Sequence, residues 1–326
     1  FAVITRQLLN TAVGEGHQLP SFILSAAVPT LRGNREQTRV VDVSLPLKEG
    51  KSAEVEERQE FPLVGMYGEY AKTPITKKRG AIVAITKEAV LADDTGQILD
   101  RARRVGELIG LEKEIALTDY VVGAISDSVT EKRVGDSAEV TKNLFYDSGD
   151  SERWTNEQVN ALVDWTDIDV AEHLFLGITM PGSGHPPVLT QRTVLTPPQL
   201  RSTASRILNA TETRSTETGD SISNTVAAAN PIRDLGLRHL VSALVYTRMV
   251  AAGIDEDEAA GTWFYGDLQR AFRYYENWAL TVEEDRTREA TFTHDILVRF
   301  KASERGTPVI VDPRYWSKQV PSQEAT

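Results

Sequence analysis

Hydrophobic positions along the chain change period several times, and each change marks an element. Over residues 38–47, Val41, Val43, Leu45 and Leu47 alternate with Asp42, Ser44 and Pro46, the period-2 pattern of a strand with one buried face. Pro46 has no N–H for a sheet ladder, so this strand is expected at an edge, or to end there. Residues 48–60 lose the pattern. Glu49, Glu54, Glu56, Glu57 and Glu60 stand among Lys48, Lys51 and Arg58, with no buried face of their own. Residues 61–70 (FPLVGMYGEY) turn apolar and aromatic again, and 82–85 (IVAI) reads as a short buried strand. These stretches predict two strands joined by a long, charged, protruding tip.

The period then lengthens. Between 87 and 123, Ile98, Ala102, Val105 and Ile109, with Leu108, Leu111 and Ile115, recur at spacings of three and four, which is one helical stripe. Asp94 followed by Gln97 resembles a capping box, and Asp100 and Arg104 stand at i,i+4. A helix over 95–123 would run about 40 Å at about 1.5 Å per residue. That is long against a mean of about 11–12 residues. The heptad is not sustained past about three repeats, which disfavours a coiled coil.

The flanks are less regular. Residues 1–37 hold apolar clusters (Leu8, Leu9; Phe22, Ile23, Leu24) separated by Gly14, Gly16, Pro20 and Pro29, and predict an extended arm with one short helix. Residues 124–151 read as a polar loop. Residues 154–175 read as a helix carrying Val159, Leu162, Val163 and Ile168. Five of the 14 prolines fall in 180–198, a rigid connector, and 199–208 reads as a short helix. In 209–225, ten of 17 residues are Ser, Thr or Asn, which predicts an exposed mobile loop. Residues 231–249 read as a helix, followed by an aromatic segment over 263–280. Phe292, His294, Ile296, Val298 and Phe300 then share one face of a strand, and 308–311 closes with another. Strands and helices mix without βαβ alternation, so the fold class is α+β.

Composition narrows the function. The 326 residues suit one large domain or two ordinary ones, and 40% hydrophobic with 25% charged residues describes a globular chain. With no Cys there is no disulfide, thiol nucleophile or Cys-ligated metal. A net charge of −11 disfavours broad contact with nucleic acid phosphates or anionic lipid. No apolar run approaches the roughly 18–20 residues of a membrane span, and the start has no signal-peptide pattern. The chain opens on Phe1 rather than Met, so a segment upstream is expected to be missing.

Candidate chemistry is sparse. Gly50-Lys51-Ser52 imitates the end of a phosphate-binding loop, but the required earlier Gly is Leu45. His17, His173, His185, His239 and His294 make no HExxH or HxH ligand spacing. His294, on an apolar strand face, reads as a core imidazole. The Ser183–His185 pair lies outside any Gly-x-Ser-x-Gly elbow. Asp255-Glu256-Asp257-Glu258 could attract a cation but lacks the glycine turn of a calcium loop, and reads as a solvated helix start. Asn209-Ala210-Thr211 matches a glycosylation acceptor without a secretory context. No catalytic residue, metal site or cofactor is expected. Arg outnumbers Lys, 25 to 11, which suits ion pairs at desolvated interfaces. Arg101, Arg103 and Arg104 cluster on the long helix as either a solvated face or a receiving surface for acids of another subunit.

Four stretches resemble major capsid proteins of tailed bacteriophages, with the Hong Kong 97-like fold. They are TPITKKRGAIVAITKEAVLADDTGQILDRARRVGELIGLEKEIALTDYVVG (73–123), VLTPPQLRSTASRIL (194–208), WFYGDLQRAFRYYENWAL (263–280) and TFTHDILVRFKASERGTPVIVDPRYW (291–316). Together they cover about half the chain, in the family's order. The resemblance implies an N-arm over 1–37 and an extended E-loop hairpin with flanking strands over 38–80. It further implies a peripheral domain with the long spine helix over 81–154, an axial domain over 155–281, and peripheral return strands with a C-terminal tail over 282–326. It implies a subunit that assembles into pentamers and hexamers of an icosahedral shell around phage DNA. Implied partners are other copies of itself, a portal, a scaffold or maturation protease, and decoration proteins. Packaged DNA would be met only non-specifically, no membrane would be involved, and the location would be the virion, assembled in the host bacterial cytoplasm. A cleaved N-terminal scaffold segment would explain the missing start. The family's Lys–Asn cross-link is disfavoured, because no Asn follows Asn277.

Two other readings stand beside this one. The first is an encapsulin-like or gene-transfer-agent shell. The second is a metal-dependent enzyme built on the 182–187 loop and the acids at 255–258. Under the capsid reading, Glu54, Glu56, Glu57 and Glu60 of the tip are expected to pair with Arg101, Arg103 and Arg104 of a neighbouring copy.

Overall fold

The computed structural model describes residues 2–41, 57, 70–86, 96–124, 128–133, 136–147, 154–180, 184–218, 223–285 and 296–321. Helices α1 (Ala2–His17) and α2 (Ile23–Ala27) come first, then strands β1 (Thr30–Arg32), β2 (Arg39–Val41), β3 (Tyr70–Lys72) and β4 (Lys77–Thr86). The long helix α3 spans Gly96–Val122. Strands β5 (Ser128–Lys132), β6 (Val140–Asn143) and β7 (Glu157–Val159) lead to α4 (Trp165–Leu174), β8 (Thr193–Thr196) and α5 (Arg201–Asn209). A hairpin, β9 (Glu212–Thr218) and β10 (Ser223–Ala229), precedes β11 (Arg238–Val241), α6 (Ala243–Ala251), α7 (Glu256–Gly261), β12 (Trp263–Gly266) and α8 (Leu268–Ala271). Two long strands, β13 (Phe272–Asp285) and β14 (Ile296–Ile310), and a last strand, β15 (Trp316–Val320), complete the chain.

Two compact units result. The first gathers Phe1–Thr38, Thr73–Thr118 and Arg273–Val309. Its sheet has the order β1-β13-β14-β4, with β14 antiparallel to β4 and Phe300 opposite Val83. One face of that sheet buries Ile85, Phe300 and Ala302 with Leu9, Ala12 and Val13 of α1 and Ala102 and Ile109 of α3. The two helices approach through glycine. A Cβ on Gly106 would stand 2.0 Å from the Val13 carbonyl oxygen, and one on Gly16 would stand 2.0 Å from that of Arg103. Only a residue without a side chain fits such a crossing. Buried Glu114 accepts hydrogen bonds from the N–H groups of Leu24 and Ser25, both 2.7 Å, satisfying donors at the start of α2.

The second unit gathers Arg39–Lys72, Asp119–Phe272 and Ile310–Thr326. It holds a five-stranded sheet in the order β11-β8-β12-β15-β7, a four-stranded sheet in the order β2-β3-β5-β6, and the β9–β10 hairpin. Its core is aromatic. Trp263 and Tyr265 of β12 are fully buried among Ile168, Phe175 and Val194. The Trp316 ring stacks on Phe264 at 6.2 Å and meets Phe272 edge-on at 5.9 Å, geometries that aromatic quadrupoles favour.

Several elements differ from the sequence expectations. Residues 1–37 are mostly helical rather than extended, because Gly14 and Gly16, read as breaks, lie within α1, where Gly16 meets α3. The β4 strand is ten residues long and one-faced: Ile85 is buried while Ile82 is 67% exposed. The polar stretch 124–151 contains β5 and β6, whose buried positions are Val129, Glu131 and Lys142, so two of the three are charged. The helix expected over 154–175 is confined to α4, preceded by β7, and Val159 and Val163 are exposed. The stretch 209–225, expected as a loop, enters the β9–β10 hairpin, since Thr and Ser tolerate strand geometry as well as loops. The helix expected over 231–249 is a short turn, β11 and α6. The strand over 308–311 is largely the end of β14. Much of the charged tip, Asp94 and His294 lie outside the described residues.

Candidate assembly surfaces

Helix α3 carries two stripes. Ala102, Ile109, Leu117 and Val121 are buried. On other faces Asp100, Arg101, Arg103, Arg104, Glu107, Leu108 and Glu112 are exposed. Leu108, 57% exposed, is followed at the next turns by Leu111 and Ile115, both half-buried. Arg101, Arg104, Leu108, Leu111 and Ile115 are spaced three and four apart, so they share one side of the helix. The Leu108 stripe, grouped in sequence with the core stripe, is therefore a separate and partly exposed surface. A single exposed Leu is ordinary; a run of them headed by two guanidinium groups is a face that a partner can bury.

The three arginines are not equivalent. Arg103 donates to Glu15 at 3.1 Å and to Asp100 at 3.3 Å, so acids of its own chain hold it. Asp100 thus pairs with Arg103 rather than with Arg104. Arg101 and Arg104 are exposed. Of the expected acidic partners, Glu57 is exposed in a turn, and Glu54, Glu56 and Glu60 lie outside the described residues.

In the second unit a cluster of charges is sealed from water. Glu131 of β5 accepts from Arg133 at 2.7 Å, from Arg314 at 3.2 Å and from Lys142 of β6. Asp312 accepts from Arg314 at 3.0 Å, and Arg133 also donates to the Val311 carbonyl oxygen at 2.8 Å. The Arg314 guanidinium lies 4.7 Å and the Lys142 ammonium 5.3 Å from the centre of the Trp154 ring, a cation–π arrangement. Burial alone would raise the Glu131 carboxyl, but Arg314, Arg133 and the Lys142 hydrogen bond outweigh it and hold the group at about 2. Burial pushes Asp312 up, against the pull of Arg314 and Arg133, and its Oδ2 has no hydrogen-bond partner. The groups pair chiefly with one another, so the cluster fastens β5 and β6 to the 312–314 turn. Sequence reasoning missed it: Glu131 and Arg133 alternate as any solvated strand face would. The one available signal was the lone Trp154 in a polar stretch.

The remaining candidates resolve into structural roles. His17 meets Glu304 at 2.9 Å. His239 meets the Thr196 hydroxyl at 2.8 Å, and burial, then Arg201, lowers its pKa. His173 lies 3.7 Å from Asp169, and the His185 carbonyl oxygen accepts from the Met180 N–H. The Asp255 side chain caps α7 by accepting from the Asp257 N–H at 2.9 Å. Among the described residues, no three His, Asp or Glu side chains are grouped to hold a metal ion, and no helix is long and apolar enough to cross a membrane.

A family model described as phage capsid protein matches residues 69–319. No curated protein matches the chain. Among solved structures, the capsid of an empty GTA particle aligns at 13% identity and a TM-score of 0.51, covering 94% of this chain and 91% of that one. A chain of Mycobacterium phage Bobi aligns at 13% and 0.51, covering 93% and 91%. A phage-related protein from Bordetella bronchiseptica aligns at 10% and 0.51, covering 96% and 95%. At these identities the likeness is one of fold.

Proposed function

The chain belongs to the phage capsid protein family, as a shell-forming subunit with the Hong Kong 97-like α+β fold, and from that premise we propose that it is the major head protein of a tailed phage. Copies gather into pentamers and hexamers and close an icosahedral shell around phage DNA. The observation that carries this reading is the family match across residues 69–319. The family is structural, its members associate with themselves, and the virion is where they reside. The finer assignments are ours. Residues 1–37 act as the N-arm and 38–80 as the E-loop with its flanking strands. Residues 81–154 and 282–326 make the peripheral domain, and 155–281 the axial domain. A portal, a scaffold or maturation protease, and decoration proteins join the shell in the host cytoplasm.

The exposed side of α3 fits the same reading. We assign the acids of the tip, Glu54, Glu56, Glu57 and Glu60, as partners of Arg101 and Arg104 on an adjacent copy, with Arg103 contributing after its own chain's acids are accounted for. The net charge of −11 keeps packaged DNA from adhering to the wall. Negative-stain micrographs of the expressed chain test the reading. Closed particles of uniform diameter are expected, and fields of dispersed subunits across salt and concentration would overturn it.

A further inference from the structure

The hairpin β9–β10 is a sheet of its own. Seven residue pairs join it in unbroken antiparallel register, from Glu212 opposite Ala229 to Thr218 opposite Ser223. No third described strand lies against either one. Each strand therefore presents a row of unpaired N–H and C=O groups along its outer edge. A two-stranded hairpin alone is marginal in water, and a third strand or a packed face is what makes such a sheet stable.

The base of the hairpin is built differently from its edges. Asn230 is buried there. Its Nδ2 donates to the carbonyl oxygens of Ile207 (2.8 Å) and Ala210 (3.0 Å), its Oδ1 accepts from the Ile232 N–H (3.3 Å), and its own N–H donates to Thr211 (3.2 Å). One side chain thus ties the end of α5, the start of β9 and the turn after β10 together. The hairpin is rooted in a fixed direction while its edges stay open.

Proteins guard open edges with charges, prolines or bulges. β10 (SNTVAAA) has none of these, and Ala227, Ala228 and Ala229 are small and exposed. β9 (ETRSTET) carries Glu212, Arg214 and Glu217. Pairing β9 with β9, or β10 with β10, uses one edge of each copy and leaves the other open. A β9 edge against a β10 edge sets charged residues only against neutral ones. Only a β9 edge against a β10 edge uses both edges of every copy in a single kind of contact, and such a head-to-tail contact, repeated by rotation, closes a ring. Because β9 and β10 run antiparallel, a ring of hairpins continues the antiparallel alternation without a break.

Resting on the shell-subunit reading, we propose that the outer edge of β10 in one copy takes the outer edge of β9 from the next. The hairpins of one capsomer thereby close into a continuous antiparallel strand ring, two strands per copy. The occupant of each open edge is a second copy of this chain.

Amide hydrogen exchange on unassembled subunits and on finished particles tests this. The outward-facing amides of β9 and β10 exchange fast in the free subunit and slow by about tenfold or more in particles, because edge pairing hydrogen-bonds them. Ala228→Lys, which puts a charge on the β10 edge, lowers particle yield several-fold while far-ultraviolet circular dichroism of the subunit stays unchanged, and Ala228→Ser does not. Particles whose hairpin amides exchange as fast as in free subunits would overturn the proposal and leave the shell reading standing. Protection that arises only after a different protein is added would assign the edges to that protein and overturn it equally. If no particles form, both readings fall.

Discussion

Glu131 is the residue on which the second unit's charged core turns. It is fully buried and answers three cations at once: Arg133, Lys142 and Arg314. Removing the anion would leave those cations with Asp312 alone, and breaking a buried ion pair by deleting one partner costs about 3–5 kcal/mol. Glu131→Gln is therefore expected to lower unfolding stability by about that amount, measured by denaturant titration. The pH dependence has a definite sign. The folded value of about 2 lies below that of an unfolded glutamate, so the stabilisation is complete above the ordinary carboxylate range and is lost as pH falls toward 2. Asp312, pushed up by burial, works the opposite way and is less unfavourable to the fold when protonated. The melting temperature should drop as pH is lowered from about 5 toward about 2, and Glu131→Gln should flatten that drop. An equally steep drop in the variant would assign the acid sensitivity elsewhere.

At the scale of elements, the assembly role proposed for α3 yields a charge-reversal prediction. One exposed ion pair is worth about 0.2–1 kcal/mol, and charge complementarity sets register more than affinity; a shell repeats the contact at every subunit. Glu56→Lys with Glu57→Lys should impair assembly in sedimentation while the subunit stays folded. Adding Arg101→Asp and Arg104→Asp should restore part of it. Arg103 is left unchanged, because Glu15 and Asp100 already hold it. Unaltered assembly of the Glu56/Glu57 variant at low and high salt would show those charges to be merely solvated. The same helix marks where the sequence was legible. Its C-terminal end was read to within a residue, Gly123 expected and Val122 found, because a stripe sustained over many turns outweighs local noise. Its second stripe was not separable from the first, since spacing alone does not tell a face buried by its own chain from one left for a partner. α1 was missed because Gly16 serves a helix crossing with α3, and that purpose is invisible without the partner helix. The β9–β10 hairpin was missed because Ser and Thr suit loops and strands alike. Of the candidate surface, the place of Arg101, Arg103 and Arg104 on an exposed side of the helix was legible from their spacing, and their pairing with another copy is our proposal. The buried ion cluster was not found, because charges on alternate strand positions look solvated until the fold covers them.

At the scale of the whole molecule, the chain carries features that a monomer does not use. Leu108 and Ile82 are exposed, and among the described residues no third strand pairs with β9 or β10. Under the proposed shell reading each is a surface for a neighbouring copy, and the chain's membership of the phage capsid protein family is what motivates that reading. The α+β class was legible because it depends on long-range pattern. The central claim is self-assembly, and sedimentation velocity of the purified chain under native-like conditions tests it most directly. The account predicts discrete species at capsomer mass together with a fast boundary of closed particles. A single boundary at monomer or dimer mass, unchanged as concentration rises, would contradict it.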